Sequence, residues 1–271
     1  MIRGHAIDLA FDVAGRGPPV LLLHGLFASA ANWRSVADAL ASSYRVYSVD
    51  LCNHGRSPCA IDMSYLAMAD DVLRLIEREG LRAPAVVGHS MGGKVAMALA
   101  LTQPHAVERV VVIDVAPVTY VDHFSHQIQT MMDTLARQPD AAAGAAGMQP
   151  ACPTGATLAH LMMPRLSAAQ SYVDWRCNLG VIARSIQGLC AFPRHLRYLS
   201  TGVPLTAIVG ARSECVQPPD PALYQPMFPC TTVKVIDGAG HWVHADRPRA
   251  LLAQLRRALG APGATQASRA A

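Results

Sequence analysis

The amino-acid sequence predicts an α/β protein: a mostly parallel central sheet flanked by helices, with a helical cap inserted between two of the strands. Three observations lead there. Short, continuously apolar runs such as Val20-Leu21-Leu22-Leu23 and Val110-Val111-Val112-Ile113 recur along the chain, as strands buried on both faces of a parallel sheet require. Segments of helical period alternate with them, the pattern of strand–helix–strand units. The apolar run Ala85-Val86-Val87 passes through Gly88-His89-Ser90-Met91-Gly92 straight into a small-residue-rich stretch reaching Ala100, a strand turned sharply into a helix.

In chain order, residues 5–13 alternate apolar and polar, which suits an antiparallel strand at a sheet edge. Residues 20–23 and 44–49 are the next strands, the second ending at Asp50. Leu66, Met68, Ala69, Val72, Leu73, Leu75 and Ile76 fall at helical spacing within 65–79, and Gly80 closes that helix. The 85–100 strand and helix follow, then strands at 109–113, 205–209 and 232–236, and a last helix over 247–259. The stretch from about 118 to 200 breaks this rhythm: it is rich in Met, Ala, His and Gln, shows no clear buried strand, and is poor in order signals from Ala141 to Pro153. It is too long for a plain connection. The division expected is a core of residues 1–118 and 200–260, a helical cap over 119–199 that shapes the pocket and excludes water, and a frayed tail over 261–271.

Hydrophobic residues make up 51% of the 271 and charged residues 15%, which argues for a globular chain and against disorder. The net charge of +4 is mild and dispersed, so no nucleic-acid partner is expected. The first eight residues resemble no signal peptide and no apolar run is long enough to span a membrane, so no membrane partner and a cytoplasmic location are expected. Seven cysteines are scattered, odd in number and without a C-x-x-C pair. Reduced thiols are expected, not a disulfide framework or a metal site.

Gly-x-Ser-x-Gly at 88–92 has the layout of a nucleophile elbow, a strained turn that exposes the Ser90 Oγ, with glycines removing Cβ atoms that would collide. The helix start behind it points backbone N–H groups and a partial positive charge at any oxyanion beside the serine. Serine needs a base to take its proton. His241 is the candidate, in a Gly238–Gly240 loop just past the last expected strand. The acid that orients the imidazole could come from Asp114, directly at the end of strand 109–113, or from Glu214, in the loop after 205–209. Asp114 is favoured, because sheets of this kind place ligand-handling residues at the carboxyl ends of strands. The oxyanion hole takes the Met91 N–H and a second donor from the loop after 20–23, Leu26 ahead of Phe27. His24 reads as a buried, hydrogen-bonded histidine. His244 could share a metal with His241, but no acidic third ligand lies near it, so neither a metal nor an organic cofactor is expected.

These residues resemble the α/β-hydrolase fold, and more narrowly the bacterial YbfF-type esterases. The likeness rests on His-Gly-Leu-Phe-Ala-Ser at 24–29, Asp-Leu-Cys-Asn-His-Gly-Arg-Ser-Pro at 50–58, and the elbow with Gly93 and Lys94. It rests equally on Ile-Asp-Val-Ala-Pro-Val at 113–118 and Gly-Ala-Gly-His-Trp-Val-His-Ala at 238–245. The superfamily's commonest acid follows the strand read here at 205–209, where this chain has Ser213. The resemblance implies that the acid comes instead from the Asp-x-Ala-Pro loop, giving Ser90, His241 and Asp114, with Ser213 as a fourth network member. It also implies hydrolysis of short-to-medium acyl esters or thioesters, acyl-coenzyme A among them, through a Ser90 acyl-enzyme and without metal. Phe27, Trp175, Arg176 and Trp242 are candidate substrate contacts, Arg176 for an anionic group. Two other readings stay open, a carbon–carbon bond hydrolase or lyase using the same triad and a non-catalytic ligand-binding homologue. Monomer and dimer are not distinguished.

Overall fold

The computed structural model describes residues 6–137, 165–166, 173–174 and 177–260. Seven strands build the central sheet: β1 Phe11–Ala14, β2 Pro19–Leu23, β3 Arg45–Val49, β4 Ala85–His89, β5 Arg109–Ile113, β8 Leu205–Gly210 and β9 Thr231–Ile236. Their order is β1-β3-β2-β4-β5-β8-β9, with β1 antiparallel at one edge and every other pairing parallel. The alternating segment read at 5–13 thus becomes a shorter edge strand at 11–14.

Side chains alternate across this sheet with period two, and each face is buried under its own helices. Leu21, Leu23, Val86, Val110 and Val112 face one core, shared with α2 Tyr65–Arg78 and α3 Met91–Thr102. Val20, Leu22, Val87, Val111 and Ile113 face the other, under α1 Arg34–Leu40 and the C-terminal helix Pro248–Leu259. Burial on both faces is why these strands read as unbroken apolar runs. α2 starts where Ser64 caps it by accepting the Ala67 N–H, and Gly80, at φ +61°, lets the chain turn out of it.

Between β5 and β8 the chain leaves the sheet. Among the described residues this excursion holds α4 Ser125–Arg137, the short antiparallel pair β6 Arg165–Leu166 and β7 Val173–Asp174, and α5 Leu179–Cys190. The stretch from Ala141 to Pro153 and the tail from 261 lie outside the described residues. Because the strands run parallel, β2, β4, β5, β8 and β9 all finish along one edge of the sheet. Ser90, Asp114 and the loops after β2, β8 and β9 therefore converge there.

Candidate active site

A single residue makes the turn from sheet to helix. β4 ends at His89 and α3 begins at Met91, leaving Ser90 at φ +51° and ψ −117°. That left-handed value costs a non-glycine residue on the order of 1–3 kcal/mol. It is fixed by the Ser90 N–H, which donates to the Ile113 carbonyl at 3.0 Å, and by the Gly93 N–H, which donates to the Ser90 carbonyl at 2.9 Å. A Cβ on Gly88 would fall inside the Gly92 carbonyl, and one on Gly92 would lie 2.5 Å from the Leu23 carbonyl oxygen. Only glycine lets the strand and helix come this close.

Asp114 follows β5 at once, also at positive φ (+52°), and is fully buried. His241 Nδ1 lies 2.7 Å from its Oδ2. The same oxygen accepts the Ser213 hydroxyl at 2.5 Å, and Oδ1 accepts the Gly210 N–H at 3.0 Å. Three donors thus hold one carboxylate in a fixed plane. An imidazole that donates Nδ1–H to Asp114 keeps its Nε2 lone pair as an acceptor. The His241 carbonyl is itself held by the His89 Nε2–H at 2.9 Å. Burial pulls the pKa of His241 down, but its hydrogen bonds with Asp114 and Cys215 outweigh this and leave the pKa above the ordinary 6.5. Of the two acids weighed from the sequence, Asp114 makes this bond, while Glu214 stands on the cavity wall.

Ser90, Asp114 and His241 line one cavity of about 470 Å³. Leu26 and Met91 line it too, and neither backbone N–H has a hydrogen-bond partner among the described residues. The Phe27 N–H is already committed to His54 Nε2 at 3.2 Å, so of the two donors weighed in that loop it is the Leu26 N–H that stays unpaired beside the cavity. His24 is buried with both nitrogens engaged, Nδ1 with the Gly25 carbonyl and Nε2 with the Leu51 N–H.

The family model described as alpha/beta hydrolase fold matches residues 18–248. The chain belongs to this family. It is 34% identical over 252 residues to the sn-1-specific diacylglycerol lipase ABHD11 of Xenopus tropicalis, covering 89% of this chain and 78% of that protein. To esterase YbfF of Escherichia coli K12 it is 33% identical over 252 residues, covering 89% and 92%. Among solved structures, a marine microorganism esterase superposes with a TM-score of 0.85 at 28% identity, covering 93% of this chain and all of that one. The resemblance to YbfF-type esterases holds across the hydrolase core, and this chain is a hydrolase with esterase and lipase relatives. Among the described residues no helix is long and apolar enough to cross a membrane.

The other residues singled out in the sequence are placed as follows. Phe27 is buried one position behind Leu26, its ring edge-on to Phe124 at 6.1 Å. The Trp242 ring packs on His89 and His241, with centroids 5.3 and 5.8 Å apart. Neither is on the cavity wall, whereas Trp175 and Arg176 lie outside the described residues. Sequence reasoning missed two groups at the site. Lys94, one turn along α3 from Ser90, is buried, donates to the carbonyls of Cys190 and Ala191 at 2.9 and 2.8 Å, and stands over the Tyr120 ring. Cys215 lines the cavity beside His241. The position of Lys94 in the elbow motif was the available signal for the first. For Cys215 there was only its closeness in sequence to Ser213.

Proposed function

We propose that this hydrolase cleaves carboxylic esters or thioesters with short-to-medium acyl chains through an acyl-enzyme on Ser90. His241 Nε2 takes the Ser90 proton as the oxygen attacks the acyl carbon, and Asp114 stabilises the imidazolium that forms. The Met91 and Leu26 N–H groups receive the oxyanion. The imidazolium then protonates the departing alkoxide or thiolate, and in the second half-reaction His241 activates water against the acyl-enzyme. Ser213 acts behind the acid, holding the Asp114 carboxylate in plane. No step needs a metal.

The observation that carries this reading is the 2.7 Å contact of His241 with Asp114 in the same cavity as a serine held at positive φ. The wall chemistry supports an acyl substrate, since Tyr65, Phe124, Ile186 and Leu189 give it a largely apolar lining. Two of these, Ile186 and Leu189, come from α5, and Phe124 directly precedes α4, which supports residues 119–199 as the cap over the site. The names of the relatives, an esterase and a diacylglycerol lipase, point the same way.

The test is hydrolysis of p-nitrophenyl esters from acetate to palmitate by wild type and Ser90→Ala, without added metal. Turnover in the wild type that vanishes in the variant is the expected result, with a chain-length optimum set by the cavity. Equal rates in the two proteins, or none in well-folded wild type, would overturn the reading.

A further inference from the structure

Cys215 has no part in acyl transfer, yet it stands against the two residues that control the proton. One ligand atom each from Asp114, Cys215 and His241 lie within 4.8 Å of one another. The set combines thiol, imidazole and carboxylate, the three side-chain ligands that zinc prefers. We propose that Asp114, Cys215 and His241 form an inhibitory binding site for a thiophilic divalent cation of the zinc type. Its effect on activity rests on the reading of His241 as the base, while the binding itself does not.

The geometry needs small adjustments. Tetrahedral Zn²⁺, with bonds of about 2.0–2.3 Å, spaces its ligand atoms about 3.3–3.8 Å apart. The 2.7 Å separation of His241 and Asp114 must open slightly, and the thiol must close in by an ångström or so. Asp114 and the 213–217 loop are already fixed in a way that favours this. The Cys215 N–H donates to Ser213 Oγ at 3.1 Å, Gln217 Nε2 donates to the Ser213 carbonyl at 2.8 Å, and Ser213 donates to Asp114. Backbone and hydroxyl donors of this kind orient ligating carboxylates from behind.

Asp114 lies on the Nδ1 side of the ring, so the ion binds there and replaces the hydrogen shared with Asp114. The ring proton moves to Nε2, which then can only donate and no longer accepts the Ser90 proton. The thiol proton is released to solvent, and a water completes the coordination. The site is therefore one that a proton competes for, so affinity falls as pH is lowered.

The test titrates Zn²⁺ into wild type, Cys215→Ala and Cys215→Ser, with ester hydrolysis normalised to each protein's own metal-free rate. Binding is followed in parallel by competition with a chromophoric chelator. Expected are inhibition of wild type that a chelator reverses, a midpoint at least tenfold higher in both variants, and loss of the tightest site from their binding curves. The same midpoint and the same tightest site in all three proteins would overturn the proposal, as would full wild-type activity at zinc concentrations that saturate the protein. The metal-free rates are read first, so a failure of the hydrolase reading shows there and is not confused with a failure of the metal site.

Discussion

Replacing Asp114 by Asn keeps size and shape and changes only what the buried group can accept. In the wild type Oδ2 receives two donors, the His241 ring and the Ser213 hydroxyl, and Oδ1 receives the Gly210 N–H. An asparagine has one acceptor for these three donors. With its oxygen toward Gly210, its NH₂ meets His241 and can only donate, so the ring is forced to carry its proton on Nε2 and cannot take one from Ser90. With the amide reversed, the NH₂ opposes the Gly210 N–H and leaves a buried donor unpaired, at about 1–3 kcal/mol. The first arrangement avoids that penalty and therefore prevails. The expected outcome is a fall in kcat of about 10⁴-fold, or roughly 5.5 kcal/mol at the transition state, by analogy with the same exchange in a serine protease. The fold is expected to survive with a modest drop in Tm.

The pH profile separates this from simple damage. Asp114 and Cys215 favour the imidazolium, so the pKa of His241 is raised above 6.5 and the acid limb of kcat/KM in wild type lies above that value. Activity needs the neutral ring. Removing the carboxylate moves the acid limb of the residual activity to lower pH. Stopped-flow or steady-state ester hydrolysis between pH 5 and 10 reads both effects. A loss of less than tenfold, or an acid limb that stays in place, would refute the assignment of Asp114, and the large loss appearing in Glu214→Ala instead would give the role to Glu214.

Three further outcomes are expected. Ser213→Ala deletes one donor to Asp114 and the acceptor for the Cys215 N–H, so a cost of about 1–2 kcal/mol in stability and a several-fold lower kcat are expected in urea unfolding and steady-state assays; unchanged values in both would remove Ser213 from the network. Gly88→Ala drives a methyl into the Gly92 carbonyl, and no soluble protein, or a loss above about 3 kcal/mol, is the expected result on expression and denaturation. Burial pushes the pKa of Lys94 down to about 7, against about 10.4 in an unfolded chain. Between those values the unfolded state binds the extra proton, so wild-type stability rises with pH there, by up to about 1.4 kcal/mol per unit, and Lys94→Met flattens that rise. Parallel stability curves for the two proteins from pH 7 to 10 would count against the lowered pKa of Lys94.

How much of this was legible in the sequence depended on what holds each element. β2, β4 and β5 are buried on both faces, so their apolar runs identified them to within two residues. α2 was bounded by its apolar spacing and by Gly80 as its stop, while the Ser64 cap that fixes its start emerged only with the structure. α1 has seven residues and no acidic first turn or basic last turn, and nothing local marks it. At the site, Asp114 and Ser90 were readable because each follows directly on a strand whose end is unambiguous. Residue type alone left Glu214 beside Asp114; in the structure it is Asp114 that bonds His241, while Glu214 stands on the cavity wall. The partners of Lys94 are backbone carbonyls 96 and 97 residues away, which no sequence pattern announces.

Those carbonyls have a mechanical consequence. The last carbonyls of α5 and the one just beyond it, which have no partner inside a helix, are taken by side chains of the core: Leu189 by the Tyr65 hydroxyl, Cys190 and Ala191 by Lys94. By position in the chain α5 belongs with the inserted segment, but by attachment it is bolted to the helix that begins at the nucleophile. Lifting it would break the Tyr65 bond and both Lys94 bonds together, at about 1–3 kcal/mol for each buried group left unpaired. The segment before α4 is tied to the same anchor, since Gln187 of α5 donates to Asp122 at 3.0 Å and the Cys190 carbonyl accepts the Tyr120 N–H at 3.0 Å; hydrogen exchange should show α5 amides opening only with the core. The wall that Ile186, Leu189 and Cys190 give to the cavity is thus part of the core's framework, although it lies nearly 80 residues beyond the end of β5.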